Sequence, residues 1–136
     1  MSGARSPRQL LVADDDGALV ETLQVTLEPY FPTIAVRSGE EAVEVLRSEC
    51  VHLVLIDMYL GETTGIEVIR LAKQLDVARP CILMSGDLND AIRREARRLR
   101  VDHVLSKPIS KQELLTAVRG SLGIVGADQA DLMDLS

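Results

Sequence analysis

The apolar pattern of this chain changes period repeatedly, and that switching limits the folds open to it. Short β-rich runs stand at Leu10–Ala13, Thr33–Val36, Leu53–Ile56, Cys81–Met84 and His103–Ser106. Between and after them lie segments with helical spacing. These carry Leu19, Leu23 and Leu27, then Ala42, Val43 and Leu46, then Ile66, Ile69 and Ala72, then Ile92, Ala96 and Leu99, and finally Leu114, Leu115, Val118 and Leu122. Five strand–helix units in succession predict a parallel sheet covered by helices on both faces, because parallel strands need crossover connections. The runs are nearly all apolar rather than alternating, as expected of strands buried on both sides.

Local signals mark the boundaries. Glu28-Pro29 and Phe31-Pro32 bracket the end of the first helix, since a residue before proline is pushed out of the α region. Asp16 and Ser38 are N-cap candidates, and Ser110 with Glu113 reads as a capping box. Gly120 and Gly123 are expected to stop the last helix. Residues 8–124 then form one domain, with residues 1–7 expected to be a disordered N-terminus and 125–136 an acidic tail or linker stub.

Composition narrows the class. At 136 residues, with 46% hydrophobic and 26% charged residues, the chain has the size of one compact domain. Aromatic residues make up only 2%, so the core must be built from aliphatic side chains. A net charge of −6 argues against general nucleic-acid binding. No apolar run approaches the ~20 residues of a membrane span, and the first residues lack a secretory signal's apolar stretch. The expectation is a cytoplasmic protein without nucleic-acid or membrane partners. Cys50 and Cys81 make neither a disulfide framework nor a metal pattern.

In an open parallel sheet ligands bind beyond the carboxyl ends of the strands, so the residues that follow each strand carry the functional reading. The first strand leads to Asp14, Asp15 and Asp16, the third to Asp57, the fourth to Ser85 and the fifth to Lys107-Pro108. The second leads only to Arg37 and Ser38. Clustered carboxylates repel one another unless a cation neutralises them, and hard oxygen donors suit magnesium. A metal and a lysine can share the oxygens of an incoming phosphoryl group while a carboxylate attacks and a hydroxyl donates to it. The set reads as a phosphoryl-transfer site.

Four fragments in this order closely resemble the response-regulator receiver family over about residues 8–124. They are the acidic pair Asp14-Asp15 in LLVADDD, Asp57 and Gly65 in DMYLGETTG, Ser85 in CILMSGD, and Lys107-Pro108 in VLSKP. The resemblance implies a doubly wound, flavodoxin-like α/β fold of five helices and five strands in the order 2-1-3-4-5. It implies phosphorylation of Asp57 by a histidine kinase or histidine phosphotransfer protein, with Ser85 and Lys107 on the phosphoryl group. Magnesium would be held by Asp15, Asp57 and the Tyr59 carbonyl, with Asp14 acting mainly through water, and the Lys107-Pro108 bond would be cis. Catalysis would be limited to self-phosphorylation and autodephosphorylation. Output would pass to a downstream protein, a fused effector domain or a second copy through the face made by the fourth helix, fifth strand and fifth helix.

Some positions depart from the family pattern. Gly61 replaces a frequent proline, which predicts a looser loop there, and Val104 stands where an aromatic switch is usual, so a relay must use loop and helix movement. Tyr59 and Asp87 occupy positions where the family varies residues that tune phosphoryl lifetime. His103 reads as a solvated edge-strand residue. The fourth helix carries Arg93, Arg94, Arg97, Arg98 and Arg100, explained by complementing the helix dipole with an Asp90–Arg94 pair, or by a partner surface.

Two alternatives stand beside this reading. Asp14-Asp15-Asp16-Gly17-Ala18 resembles the start of haloacid-dehalogenase-type phosphatases, with Asp14 as nucleophile, although Ala18 replaces their threonine and the lysine comes too late in the order. A receiver-like interaction module that is never phosphorylated is the other.

Overall fold

Consecutive apolar residues at three of the five β-rich runs, Leu10–Ala13, Leu53–Ile56 and Cys81–Met84, leave no polar face for water, so those strands must be covered twice. In the computed structural model, which describes residues 8–124, the main strands are β1 (Leu10–Ala13), β2 (Thr33–Val36), β3 (Leu53–Asp57), β6 (Cys81–Ser85) and β7 (His103–Ser106). They form one sheet in the order β2-β1-β3-β6-β7, all parallel, which is the order expected from sequence. The helices are α1 (Gly17–Leu27), α2 (Gly39–Ser48), α3 (Gly65–Leu75), α4 (Asp90–Arg98) and α5 (Lys111–Ser121).

The pleat sorts each strand into two cores. Leu11, Ala13, Val54, Ile56, Cys81 and Leu83 point to the face covered by α2, α3 and α4. Leu10, Val12, Leu53, Leu55, Ile82 and Met84 point to the face covered by α1 and α5. Right-handed crossovers account for the division up to β7: the chain runs outward from β1 to β2 through α1, then reverses and crosses to β3, β6 and β7 through α2, α3 and α4. The reversal leaves β1 and β3 adjacent, with their carboxyl ends side by side.

Caps explain where the helices begin. Asp16 accepts from the Ala18 and Leu19 N–H groups, Ser38 from Glu41, and Ser110 forms the expected capping box with Glu113. Thr64 and Asn89 cap α3 and α4 in the same way.

Two local expectations fail, and one segment is more regular than expected. Gly120 lies inside α5 rather than ending it, because packing of the helix outweighs glycine's weak propensity; Gly123, at φ 72°, is the residue that leaves the helical conformation. The segment around Gly61 has regular structure that its sequence did not show. It folds into a hairpin, β4 (Tyr59–Leu60) against β5 (Thr63–Thr64), with Gly61 supplying the positive φ of 73° that its turn requires. The Asp90–Arg94 pair is not among the ion pairs of the described residues; Glu95 instead meets Arg98 at 3.1 Å and Arg70 at 3.7 Å. The proposed disordered start and acidic tail lie outside the described residues.

Candidate functional site

The carboxyl ends of β1, β3, β6 and β7 converge on one polar cluster. Asp14 follows Ala13 at the end of β1, is fully buried, and is fixed by its own N–H donating to the Val36 carbonyl at 3.3 Å. Its Oδ1 accepts from the Asp16 N–H at 3.0 Å. Asp57 is the last residue of β3 and is buried; its Oδ2 accepts from the Tyr59 N–H at 3.3 Å. Gly65 is needed beside it, because a Cβ there would collide with the Asp57 carbonyl oxygen.

Lys107 joins the two acids. Its Nζ lies 2.7 Å from Asp14 Oδ2 and 2.8 Å from Asp57 Oδ1. The Lys107 N–H donates to the Ser85 carbonyl at 2.9 Å, and the Lys107-Pro108 bond is cis, as expected. Ser85 ends β6 fully buried, and its Oγ accepts from the Asp87 N–H at 3.1 Å. Asp15, in contrast, is exposed on the loop between β1 and α1.

Burial pushes the Asp57 carboxyl above its ordinary 3.8, and the neighbouring Asp14 adds to this; hydrogen bonds and charge from Lys107, with the Tyr59 N–H, pull only partly the other way. For Lys107, burial works against the charge, but the bonds to Asp14 and Asp57 outweigh it and raise the ammonium above 10.5. Lysine is thus held protonated between two acids, one of which resists ionisation.

Carboxylate oxygens of Asp14, Asp15 and Asp57 lie within 4.8 Å of one another, close enough to share one cation. An all-oxygen donor set of three acids fits a hard divalent ion and not a soft one. The structure therefore brings together Asp14, Asp15, Asp57, Ser85 and Lys107, which the sequence placed only at strand ends, and Tyr59 joins through its main chain. The string from Asp14 to Gly17 that resembled a phosphatase motif is a strand end followed by the N-cap and first residue of α1. Cys81 is a buried thiol pushed up to about 12 by burial, and Cys50 is exposed, away from these residues. The side chain that sequence reasoning left without a role is Arg37, whose guanidinium reaches the Asp15 carbonyl at 3.2 Å.

Residues 10–119 match the family model of the response regulator receiver domain, and the chain belongs to that family. It is a receiver domain of the two-component response-regulator type, whose members accept a phosphoryl group on an aspartate. Among curated relatives, the regulatory protein VirG of Rhizobium rhizogenes is 34% identical over 118 residues, covering 85% of this chain and 48% of VirG. The transcriptional regulatory protein GlrR of Escherichia coli K12 is 30% identical over 123 residues, covering 88% of this chain and 27% of GlrR. The chain thus spans half or less of the length of these relatives. A signal receiver domain of an HD domain-containing protein from Pseudomonas fluorescens Pf-5 superposes with a TM-score of 0.82 at 27% identity, covering 87% of this chain and 96% of that one. A CheY-like receiver domain protein from Methanospirillum hungatei JF-1 shares the fold, with a TM-score of 0.83 at 22% identity over 87% of this chain and 95% of that one. Among the described residues no helix is long and apolar enough to cross a membrane.

Proposed function

We propose that Asp57 is the phosphoryl acceptor of this receiver and that the reaction depends on magnesium. One observation carries the reading: the Asp57 carboxylate stands at a strand end with Lys107 at 2.8 Å and two further acids within cation-sharing distance. An Asp57 oxygen attacks the phosphorus of a phosphohistidine on a kinase or phosphotransfer partner. The O–P bond forms, the P–N bond breaks, and the departing imidazole takes a proton. Lys107, already between Asp14 and Asp57, is positioned to follow the negative charge onto the phosphoryl oxygens, and the Ser85 hydroxyl supplies a further donor. Asp15, Asp57 and the Tyr59 carbonyl would hold magnesium, with Asp14 contributing through water. When bound, the ion supplies neutralising charge to the carboxylates and to the transferred group.

The chain itself then carries out only phosphoryl acceptance and its own dephosphorylation. Output runs through the face of α4, β7 and α5, toward a downstream protein, an effector domain or a second copy, in the cytoplasm. The half-length coverage of transcriptional relatives supports an effector domain in at least some proteins of this kind.

Acetyl phosphate with magnesium, followed by intact-mass measurement, tests the reading. The chain should gain one phosphoryl group, and Asp57→Asn should abolish that gain. An unchanged mass of the unsubstituted chain overturns it and favours a receiver used only as an interaction module. Tyr59, half exposed beside Asp57, and Asp87, bonded to Ser85 Oγ through its N–H, are proposed to set the lifetime of the product. Tyr59→Ala and Asp87→Ala should each change the decay rate several-fold; unchanged decay in both removes that role.

A further inference from the structure

Four strands of the main sheet lead into the polar cluster through a side chain at or just after their ends. β2 is the exception, being followed by Arg37 and Ser38, and Ser38 is accounted for as the cap of α2. Arg37 is left over. Its N–H donates to Glu41 Oε1 at 3.1 Å, which fixes the root of the side chain. The guanidinium then reaches across to the loop between β1 and α1, where Nη2 donates to the Asp15 carbonyl at 3.2 Å. Gly17 makes room for it: a Cβ at that position would stand 3.0 Å from Arg37 Cζ and 3.1 Å from Nη1.

The destination of that donor matters. It goes to the main chain of Asp15 and not to the carboxylate, and no ion pair among the described residues involves Asp15. Glu41, the acid bonded at the root of Arg37, accepts from main-chain Arg37 and from the Ser38 hydroxyl rather than from the guanidinium. A guanidinium keeps its proton throughout the physiological range. A permanent positive charge is therefore held beside the acidic cluster without occupying a carboxylate that a cation would need. Lys107 supplies one positive charge within the cluster of Asp14, Asp15 and Asp57, and Arg37 supplies a second at its margin.

We propose that Arg37 sets the charge balance of this site, lowering its affinity for the divalent cation while favouring the approach of an anionic phosphodonor. The inference rests on the reading of the cluster as a magnesium-dependent phosphoryl acceptor. One charge produces both effects because it repels the one ion and attracts the other. Arg37 is exposed, so the effect must fade with salt. A role as a mere tether of the Asp15 loop would act through the hydrogen bond and would have the opposite sign on cation binding.

Calorimetric titration of magnesium into the unphosphorylated chain, with Arg37→Lys, Arg37→Gln and Arg37→Glu, separates these. Lys should resemble the parent, Gln should bind roughly 2–5-fold more tightly at low ionic strength, and Glu more tightly still. The differences should collapse near 1 M salt, where the screening length is about 3 Å. At saturating magnesium, phosphorylation by acetyl phosphate should slow in the order Lys, Gln, Glu. Equal affinities across the series, or weaker binding in Gln and Glu, overturn the role of Arg37 alone. Absence of saturable magnesium binding by the parent chain overturns both this inference and the reading beneath it.

Discussion

Lys107 and Lys73 lie at opposite ends of the same sheet, each against aspartate, and the two surroundings differ in one respect. At the amino ends of the strands, Lys73 Nζ donates to the Arg79 carbonyl at 2.6 Å and stands 3.9 Å from Asp102 Oδ1, which also accepts the Cys81 N–H at 3.1 Å. One acid there meets one base, with main-chain partners for both. At the carboxyl ends a single lysine serves two buried acids, with a third close by. The satisfied end ties the last turn of α3 to the starts of β6 and β7. The under-neutralised end holds acids whose repulsion a cation can relieve, and the proposed chemistry is assigned there.

Removing the cation from each end is the largest test of that contrast. Lys107→Met should slow phosphorylation by at least ~10-fold and destabilise the chain by about 2–3 kcal/mol at neutral pH, because buried acids lose their partner. Added magnesium should recover much of the stability, measured by denaturant unfolding. If the loss is no greater than for Lys73→Met, the two ends are alike and the contrast fails.

Asp57→Asn sharpens the comparison from the other side. A carboxyl whose folded value is raised costs stability, a cost that is absent below 3.8, grows as pH rises from there toward the folded value and is complete above it. The substitution should therefore raise the melting temperature at pH 7 without magnesium, and the gain should vanish toward pH 3. A variant that melts lower than its parent at pH 7 would mean that Lys107 fully compensates the buried charge. Lys107, also raised, shares that direction with pH but is favourable at neutrality: its contribution is complete below 10.5 and lost as pH rises through its own raised value.

The smallest effect belongs to the satisfied end. Lys73→Met should cost about 0.5–1.5 kcal/mol, since one hydrogen bond to a carbonyl and a long ion pair are lost. Phosphorylation should be unchanged within error. A large loss of phosphorylation would couple the two ends and erase the distinction.

Much of the fold was legible because it follows from period and length. Strand runs such as Leu53–Ile56 are apolar on both faces, and the structure buries both faces of each. Asp16, Ser38 and Ser110 were readable as caps because capping is a contact within three residues. Thr64 carried the same signal with Glu67 but lay in a segment without strand or helix periodicity. The hairpin of Tyr59–Leu60 and Thr63–Thr64 escaped because two-residue strands have no period to detect; its position is set by Thr63 packing against Gly39 of α2, where even a Cβ would not fit. Gly120 was misread for a related reason, since nothing local shows that the helix around it is held by the sheet.

By itself the sequence determined which residues stand at the strand ends, and so the chemical inventory of the site: acids after β1 and at the end of β3, a hydroxyl at the end of β6, a lysine after β7. Those assignments depend on short-range patterns that do not need the fold. Distances were decided by tertiary structure alone. Lys107 is 93 residues from Asp14 along the chain and 2.7 Å away in space, and Arg37 is 22 residues from the Asp15 carbonyl it reaches. Parallel register brings the ends of β1, β3, β6 and β7 to one edge, where desolvation makes Asp57 a resistant acid while the bonds to Asp14 and Asp57 keep Lys107 firmly protonated in spite of it. No local pattern encodes either effect, because one depends on the water that the rest of the chain excludes from that edge and the other on the acids it brings there.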